Sequence, residues 1–373
     1  MASEVLKKGG EVASEVLGET RGFDFEGMRF GVKAWRASAS DAREGGASAV
    51  PIVLVHGFAQ QASTWDDVAR FLADAGARCF GFELAGHGVS VCSAGDDPVE
   101  RPGFFDLCFQ TRALLAFCGA VARDAGVAPV LVGYSMGGRV ALQAACLAAD
   151  DLRGGGELDR TALRSSAAFA PCGRDRRLDV AGACQRDVTA NAARMSAAVP
   201  FSALVLESAG LGPVDNAARE ALRERNFAWA ARVRGEGVSA FMDWWAGLPL
   251  FESQQYLSAD QRERLRVGRF ANDAESLALS FERAGAHAMS SQGESIRALC
   301  ELAAKGIPIS YLAGELDAKY CKVASTLQAE SQGAVSCRVV PAAGHSIHLE
   351  QPEAFGAILE EVVESCTPEP AAP

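Results

Sequence analysis

Several absences narrow the work of this chain before any motif is read. No apolar run approaches the ~20 residues that a bilayer-spanning helix needs, so membrane insertion is not expected. The 11 cysteines are never spaced Cys-x-x-Cys, which leaves no metal pattern, and neither a metal nor another cofactor is expected. Odd in number and scattered, they read as small hydrophobes of the cytoplasm or another reducing, soluble compartment. Positive charge is in deficit: 36 Lys and Arg against 47 Asp and Glu give a formal net charge of −11, which argues against nucleic acid as a partner. An anionic ligand must therefore be met by locally positioned arginines. The opening residues, MASEVLKKGGEVASEVLGE, lack the apolar centre of a secretory signal and carry too many glutamates for a transit peptide.

What remains is an ordinary globular composition, 49% apolar and 22% charged over 373 residues, enough for a sizeable core. The sequence carries no sign of an oligomeric state. Residues 1–22 read as a poorly ordered leader, in which ASEVL occurs at 2–6 and again at 13–17 without making a repeat protein. Segments 23–25 and 28–35 flank Glu26-Gly27 as a hairpin, and 37–48 reads as a loop. Short apolar runs then follow at 51–55, 78–82, 130–132, 203–206, 307–312 and 336–340. Amphipathic patterns at 64–75, 105–125 and 136–149 alternate with the earlier ones; in the first, Trp65, Val68, Phe71 and Leu72 share a face. Buried strands alternating with helices predict a mostly parallel sheet covered on both sides. The expected core spans 23–210 and 300–366, with residues 152–199 as an insertion and 211–299 as a helical cap over the sheet's C-terminal edge, where ligands bind in such folds.

The chemistry concentrates in Val130-Leu-Val-Gly-Tyr-Ser-Met-Gly-Gly-Arg139. Gly133-x-Ser135-x-Gly137 directly after a strand and before a helix is the pattern of a nucleophile elbow, and with it the α/β-hydrolase fold is predicted. A serine hydroxyl needs a base, and histidine titrates nearest neutrality. Of five histidines, His345 lies on a glycine-containing loop past the last strand, with His348 as competitor. His56, His87 and His287 read as structural. The orienting acid should follow the penultimate strand, where Asp317 stands, with Glu315 and then Glu207 as alternatives. Ser135, Asp317, His345 is the chain order of this fold. Backbone amides of Phe58 and Met136 are the expected oxyanion donors. Arg139, four residues after Ser135 and on the same helix face, is unusual beside an apolar acyl pocket and suggests a carboxylate near the reacting carbon.

These motifs resemble the 2-succinyl-6-hydroxy-2,4-cyclohexadiene-1-carboxylate synthase family. The resemblance is carried by His56-Gly-Phe58, Gly86-His-Gly88, Gly133 to Arg139, Leu206-Glu-Ser208, Trp244 with Leu250-Phe251, Gln261-Arg with Arg269, Gly314 to Tyr320, and Ala343 to Glu350. It covers residues 50–362 apart from the insertion. One departure is Glu83-Leu-Ala-Gly-His-Gly88, where the family has Asp-x-Pro-Gly-His-Gly. The resemblance implies a lyase of menaquinone or phylloquinone biosynthesis that eliminates pyruvate from an anionic carbocyclic substrate with three carboxylates, Ser135 acting as base. It further implies that Arg139 and Arg269 bind carboxylates, with a third arginine in 218–223, Arg219 being favoured. Tyr134, Trp244 and Phe251 would line the pocket. Two other classes share the motifs: a serine hydrolase of small acidic esters or carbon–carbon bonds, and a non-enzymatic binding protein, which needs a closed apolar pocket that Arg139 and Arg269 disfavour.

Overall fold

The computed structural model describes residues 17–36, 50–92, 101–153, 169–171 and 199–367. The loop expected at 37–48, the paired ASEVL strings up to residue 16 and most of the 152–199 insertion lie outside these.

Among the described residues ten strands form one sheet: β1 Leu17–Phe25, β2 Met28–Arg36, β3 Ile52–Val55, β4 Cys79–Phe82, β5 Val91–Cys92, β6 Val130–Tyr134, β7 Phe169–Pro171, β8 Ala203–Glu207, β9 Ile309–Gly314 and β10 Ser336–Val340. Their order is β10-β9-β8-β6-β3-β4-β2-β1-β7, with β5 beside β2. From β10 to β4 all pairings are parallel, and β2 and β1 then run antiparallel. The described helices are α1 Asp66–Asp74, α2 Leu107–Ala125, α3 Met136–Leu152, α4 Asn216–Ala246, α5 Ala259–Phe270, α6 Ala274–Ala284, α7 Gln292–Ala304, α8 Ala318–Glu330, α9 Ile347–Glu350 and α10 Pro352–Cys366.

The central strands are buried on both faces, and their alternation assigns each residue to a layer. Ile52, Leu54, Val130, Val132, Ala203 and Val205 join Val68, Leu72, Phe355 and Leu359 of α1 and α10. Val53, Val55, Leu131, Leu204 and Leu206 join Phe117, Val140, Leu299 and Leu327 of α2, α3, α7 and α8. A third cluster belongs to the cap: Ala230, Val233, Phe241, Trp245, Phe251, Leu277 and Phe281 close over Ala59. Within α4 the chain leaves helical geometry at Gly237 (φ 78°, ψ 166°), so its two segments change direction there.

The structure corrects three expectations. Residues 17–22 belong to the sheet, Leu17 facing Arg36 and Gly22 facing Gly31, and are not leader. Their polar sequence hides a strand held by its ladder. The cap limit at 299 falls inside α7, whose Ile296, Leu299 and Leu302 pack with the core helices. Within the insertion, residues 169–171 pair with β1 and extend the sheet. Among the described residues no helix is long and apolar enough to cross a membrane.

Candidate active site

Ser135 ends β6 and caps α3 with φ 49° and ψ −104°, a strained conformation that lifts the side chain out of the turn. The turn closes only without side chains around it. A Cβ on Gly133 would stand 2.7 Å from the Gly137 carbonyl oxygen, and one on Gly137 would overlap the Val55 and His56 carbonyls.

His345 Nε2 lies 3.1 Å from Ser135 Oγ, and His345 Nδ1 lies 2.8 Å from Asp317 Oδ2. The carboxylate can only accept, so Nδ1 carries the proton and the Nε2 lone pair faces the hydroxyl. Asp317 caps α8, its Oδ1 accepting from Tyr320 N at 3.1 Å. The structure thus brings together the three residues that motif order selects, from three separate strand ends.

The other candidates are occupied elsewhere. His348 Nδ1 lies 2.9 Å from Glu207 Oε1, which also accepts the His348 backbone amide at 3.1 Å. Glu315 is exposed and accepts from Ala342 N. His56 Nε2 accepts from Leu84 N and His87 Nε2 from Ala59 N, both at 3.1 Å. Burial pushes these two rings down to about 3 and about 4, the His87 charge adding to the effect on His56. His287 bonds Asn226 and the Glu282 carbonyl in the cap.

Two carboxylates hold the base loop. Glu350 accepts from Gly344 N, from Ser346 N at 3.3 Å and from Ser253 Oγ at 3.0 Å, so both neighbours of His345 are tied to it. Glu207, fully buried, holds the next turn through His348 while its carbonyl accepts from Ser135 N at 2.9 Å. Sequence reasoning saw Glu207 only as a distant alternative acid. Its anchoring role depends on a contact 141 residues away.

The Phe58 and Met136 amides engage no other described group, which leaves them free to donate to an oxygen beside Ser135. Ala59, at φ 56°, shapes the first donor's loop. Asn272 Nδ2 reaches the Ala59 carbonyl at 3.2 Å from the cap.

Arginines also stand around this centre. Arg139 has no ion-pair partner among the described residues, and its Nε is buried without a hydrogen bond; burial pushes its guanidinium down to about 10, Tyr320 and Arg225 also acting on it. Arg269, 6% exposed, lies 5.2 Å from the Phe251 ring and is likewise pushed down to about 10 by burial. Its one side-chain bond runs from Nη2 to Gln254 Oε1, 3.0 Å, and it too meets no carboxylate among the described residues. Arg219 does not join them: its Nη1 donates to the His287 and Met289 carbonyls. Arg225, exposed on α4, stacks 4.5 Å from Trp229 and acts electrostatically on Arg139. It lies six residues along α4 from Arg219, beyond the 218–223 window.

The aromatic expectations need the same adjustment. Trp244 turns away under Arg232, 4.0 Å from its ring. Trp245, about 100° further round the helix, meets Phe58 at 5.0 Å and Phe251 at 5.8 Å. Phe251 reaches the His345 ring at 5.8 Å. Tyr134 is buried behind the triad, its hydroxyl 2.7 Å from Ser346 Oγ, and acts as support for the base loop. A cavity of about 560 Å³ opens between the end of α4, the turn Pro249–Tyr256 and α5, and meets the site at Phe251, Gln254 and Arg269. Among the described residues no cluster of three His, Cys, Asp or Glu side chains could hold a metal.

The chain is similar to several known proteins. The model of the alpha/beta hydrolase family matches residues 52–358. The 2-succinyl-6-hydroxy-2,4-cyclohexadiene-1-carboxylate synthase of Citrobacter koseri is 30% identical over 302 residues, 81% of this chain and 88% of that protein. The synthase of the same name from Escherichia coli O157:H7 is 29% identical over 313 residues, 84% of this chain and 93% of that protein. The structure of MenH from S. aureus superposes with a TM-score of 0.64 at 21% identity, covering 90% of this chain and 98% of that one.

Proposed function

The chain belongs to the alpha/beta hydrolase family and, within it, to the 2-succinyl-6-hydroxy-2,4-cyclohexadiene-1-carboxylate synthases, and from that premise we propose how it works. It is a lyase that eliminates pyruvate from 2-succinyl-5-enolpyruvyl-6-hydroxy-3-cyclohexene-1-carboxylate, leaving 2-succinyl-6-hydroxy-2,4-cyclohexadiene-1-carboxylate. Ser135, deprotonated by His345, takes the proton from the ring carbon that bears the succinyl ketone. Negative charge moves onto the ketone oxygen, where the Phe58 and Met136 amides receive it. The dienolate collapses through the ring double bond, and the C–O bond to the enolpyruvyl group breaks. The departing enolate takes up a proton and becomes pyruvate, and no water is consumed.

One observation carries this reading: Arg269, buried, and Arg139, half-buried with its Nε out of solvent, stand beside the triad with no carboxylate partner among the described residues. A buried cation without a counter-charge costs several kcal/mol, so the site suits a ligand that supplies the negative charge. Arg139, Arg225 and Arg269 match a small carbocyclic substrate with three carboxylates, since guanidinium forks bind carboxylates in two-pronged fashion. An ester hydrolase of apolar acyl groups needs none of them. The free cysteines among the described residues, Cys79 and Cys118 fully buried, suit a reducing compartment.

Incubation with the enolpyruvyl substrate tests the proposal. Pyruvate should appear one-for-one with the cyclohexadiene, without an acid from hydrolysis of the succinyl ketone. Turnover of simple aryl esters with no pyruvate from this substrate would transfer the protein to the hydrolases.

A further inference from the structure

Arg269 and His345 belong to different parts of the chain, yet one short turn connects them. Within Pro249–Tyr256, Phe251 stacks on Arg269 at 5.2 Å and reaches His345 at 5.8 Å. Ser253 Oγ donates to Glu350, the carboxylate that holds both neighbours of His345. Gln254, 7% exposed, joins the two directly. Its Oε1 accepts from Arg269 Nη2 at 3.0 Å, and its Nε2 donates to Ser346 Oγ at 3.0 Å. Ser346 follows His345, and its Oγ lies 2.7 Å from Tyr134 OH.

The choice of an amide at position 254 has an electrostatic consequence. A carboxylate of the same shape would satisfy Arg269 and could still accept from the Ser346 hydroxyl. It would also neutralise Arg269. An amide orients the guanidinium through one oxygen and leaves its charge uncompensated, on the wall of a cavity of about 560 Å³.

We propose that Gln254 is the residue that sets specificity for a carboxylate at Arg269, aiming the guanidinium without cancelling its charge while tying it to the base loop through Ser346. The inference rests on the reading that Arg269 takes a substrate carboxylate. Gln254 is a positioning residue, since it acts through Arg269.

The test uses the full chain and three readouts: KM and kcat for the enolpyruvyl substrate, the succinate dissociation constant by calorimetry, and the rate at which a neutral fluorophosphonate labels Ser135. Gln254→Glu should raise KM and weaken succinate on the order of 100-fold, the scale of a charge-assisted contact at a desolvated site. kcat and labelling should stay within about threefold, because both contacts of the side chain survive. Gln254→Met, which keeps the shape and Arg269's charge but loses the aim, should raise KM roughly tenfold, and carries the test if the first variant does not fold. Equal losses in labelling and KM would reduce Gln254 to a structural amide and overturn the inference. So would an unchanged KM in Gln254→Glu, or an unsubstituted protein that binds no succinate. Absence of pyruvate release alongside normal succinate binding would instead reject the lyase reading and leave the Gln254 result standing.

Discussion

Two sets of buried and half-buried charges surround Ser135, and they follow opposite rules. Around the base loop three carboxylates are each met by donors: Asp317 by His345 and Tyr320, Glu350 by Gly344, Ser346 and Ser253, Glu207 by His348. On the arginine side, buried Arg269 and half-buried Arg139 meet no opposite charge among the described residues. Compensated charge fixes geometry and has nothing left to offer a ligand. Uncompensated charge of one sign makes a poor scaffold and a good receptor, because its desolvation is offset only when an anion arrives. The contrast separates the machinery that reacts from the surface that selects.

Substitutions can break that division. The largest effect belongs to Ser135→Ala: pyruvate release should fall by roughly 10⁴-fold or more, because triad members act as a unit, while the melting curve stays in place. Turnover near the original rate would remove Ser135 from the chemistry. Next, Arg139→Ala should raise KM on the order of 100-fold with a smaller change in kcat, and Arg139→Lys should recover little of it, since a point charge lacks the fork. A kcat loss at constant KM would put Arg139 with the reacting groups and erase the contrast.

A smaller effect sharpens the boundary of the arginine side. Arg225→Ala should raise KM roughly tenfold, whereas Arg219→Ala should leave KM within about twofold and instead lower stability by about 1–3 kcal/mol, as two part-buried carbonyl contacts are lost. Steady-state kinetics with thermal melts of both variants decide between them; a KM effect at Arg219 alone would reverse the assignment.

The mildest test uses pH. His56 and His87 accept backbone amides only while neutral, and burial holds their folded values near 3 and 4 against 6.5 in an unfolded chain. The unfolded chain therefore binds more protons between these values, and the stability due to the neutral rings, complete above pH 6.5, is lost as pH falls toward 4. Burial raises Glu83 and Glu350, which opposes this trend in the same range. A net fall in melting temperature from pH 6.5 to 4 is expected, shallower in His87→Gln, which keeps an acceptor that does not titrate. Equal slopes in the two proteins would show that His87 takes up its proton freely.

Much of the fold was legible because a parallel sheet writes itself into short apolar runs separated by helices, and an elbow serine requires glycines that stand out in any sequence. Ser135, Asp317 and His345 were readable by position relative to strand ends, which the fold imposes. The failures share one cause. Trp245 and Trp244 differ by a single step, and on a helix one step turns the ring by about 100°. Arg219 and Arg225 lie on one helix, and which of them brings its charge to bear on Arg139 depends on how α4 docks, a tertiary fact. The strand at residues 17–22 is held by backbone pairing that leaves little trace in its side chains. Glu207 with His348, and Gln254 with Arg269 and Ser346, join residues that composition cannot pair.

The shared anchor at Glu207 has a mechanical consequence. Nucleophile and base loop are both fastened to the last residue of β8, one through its carbonyl and the other through its carboxylate. A shift of that strand end carries hydroxyl and imidazole in the same direction, so the gap between them is insulated from breathing of the sheet.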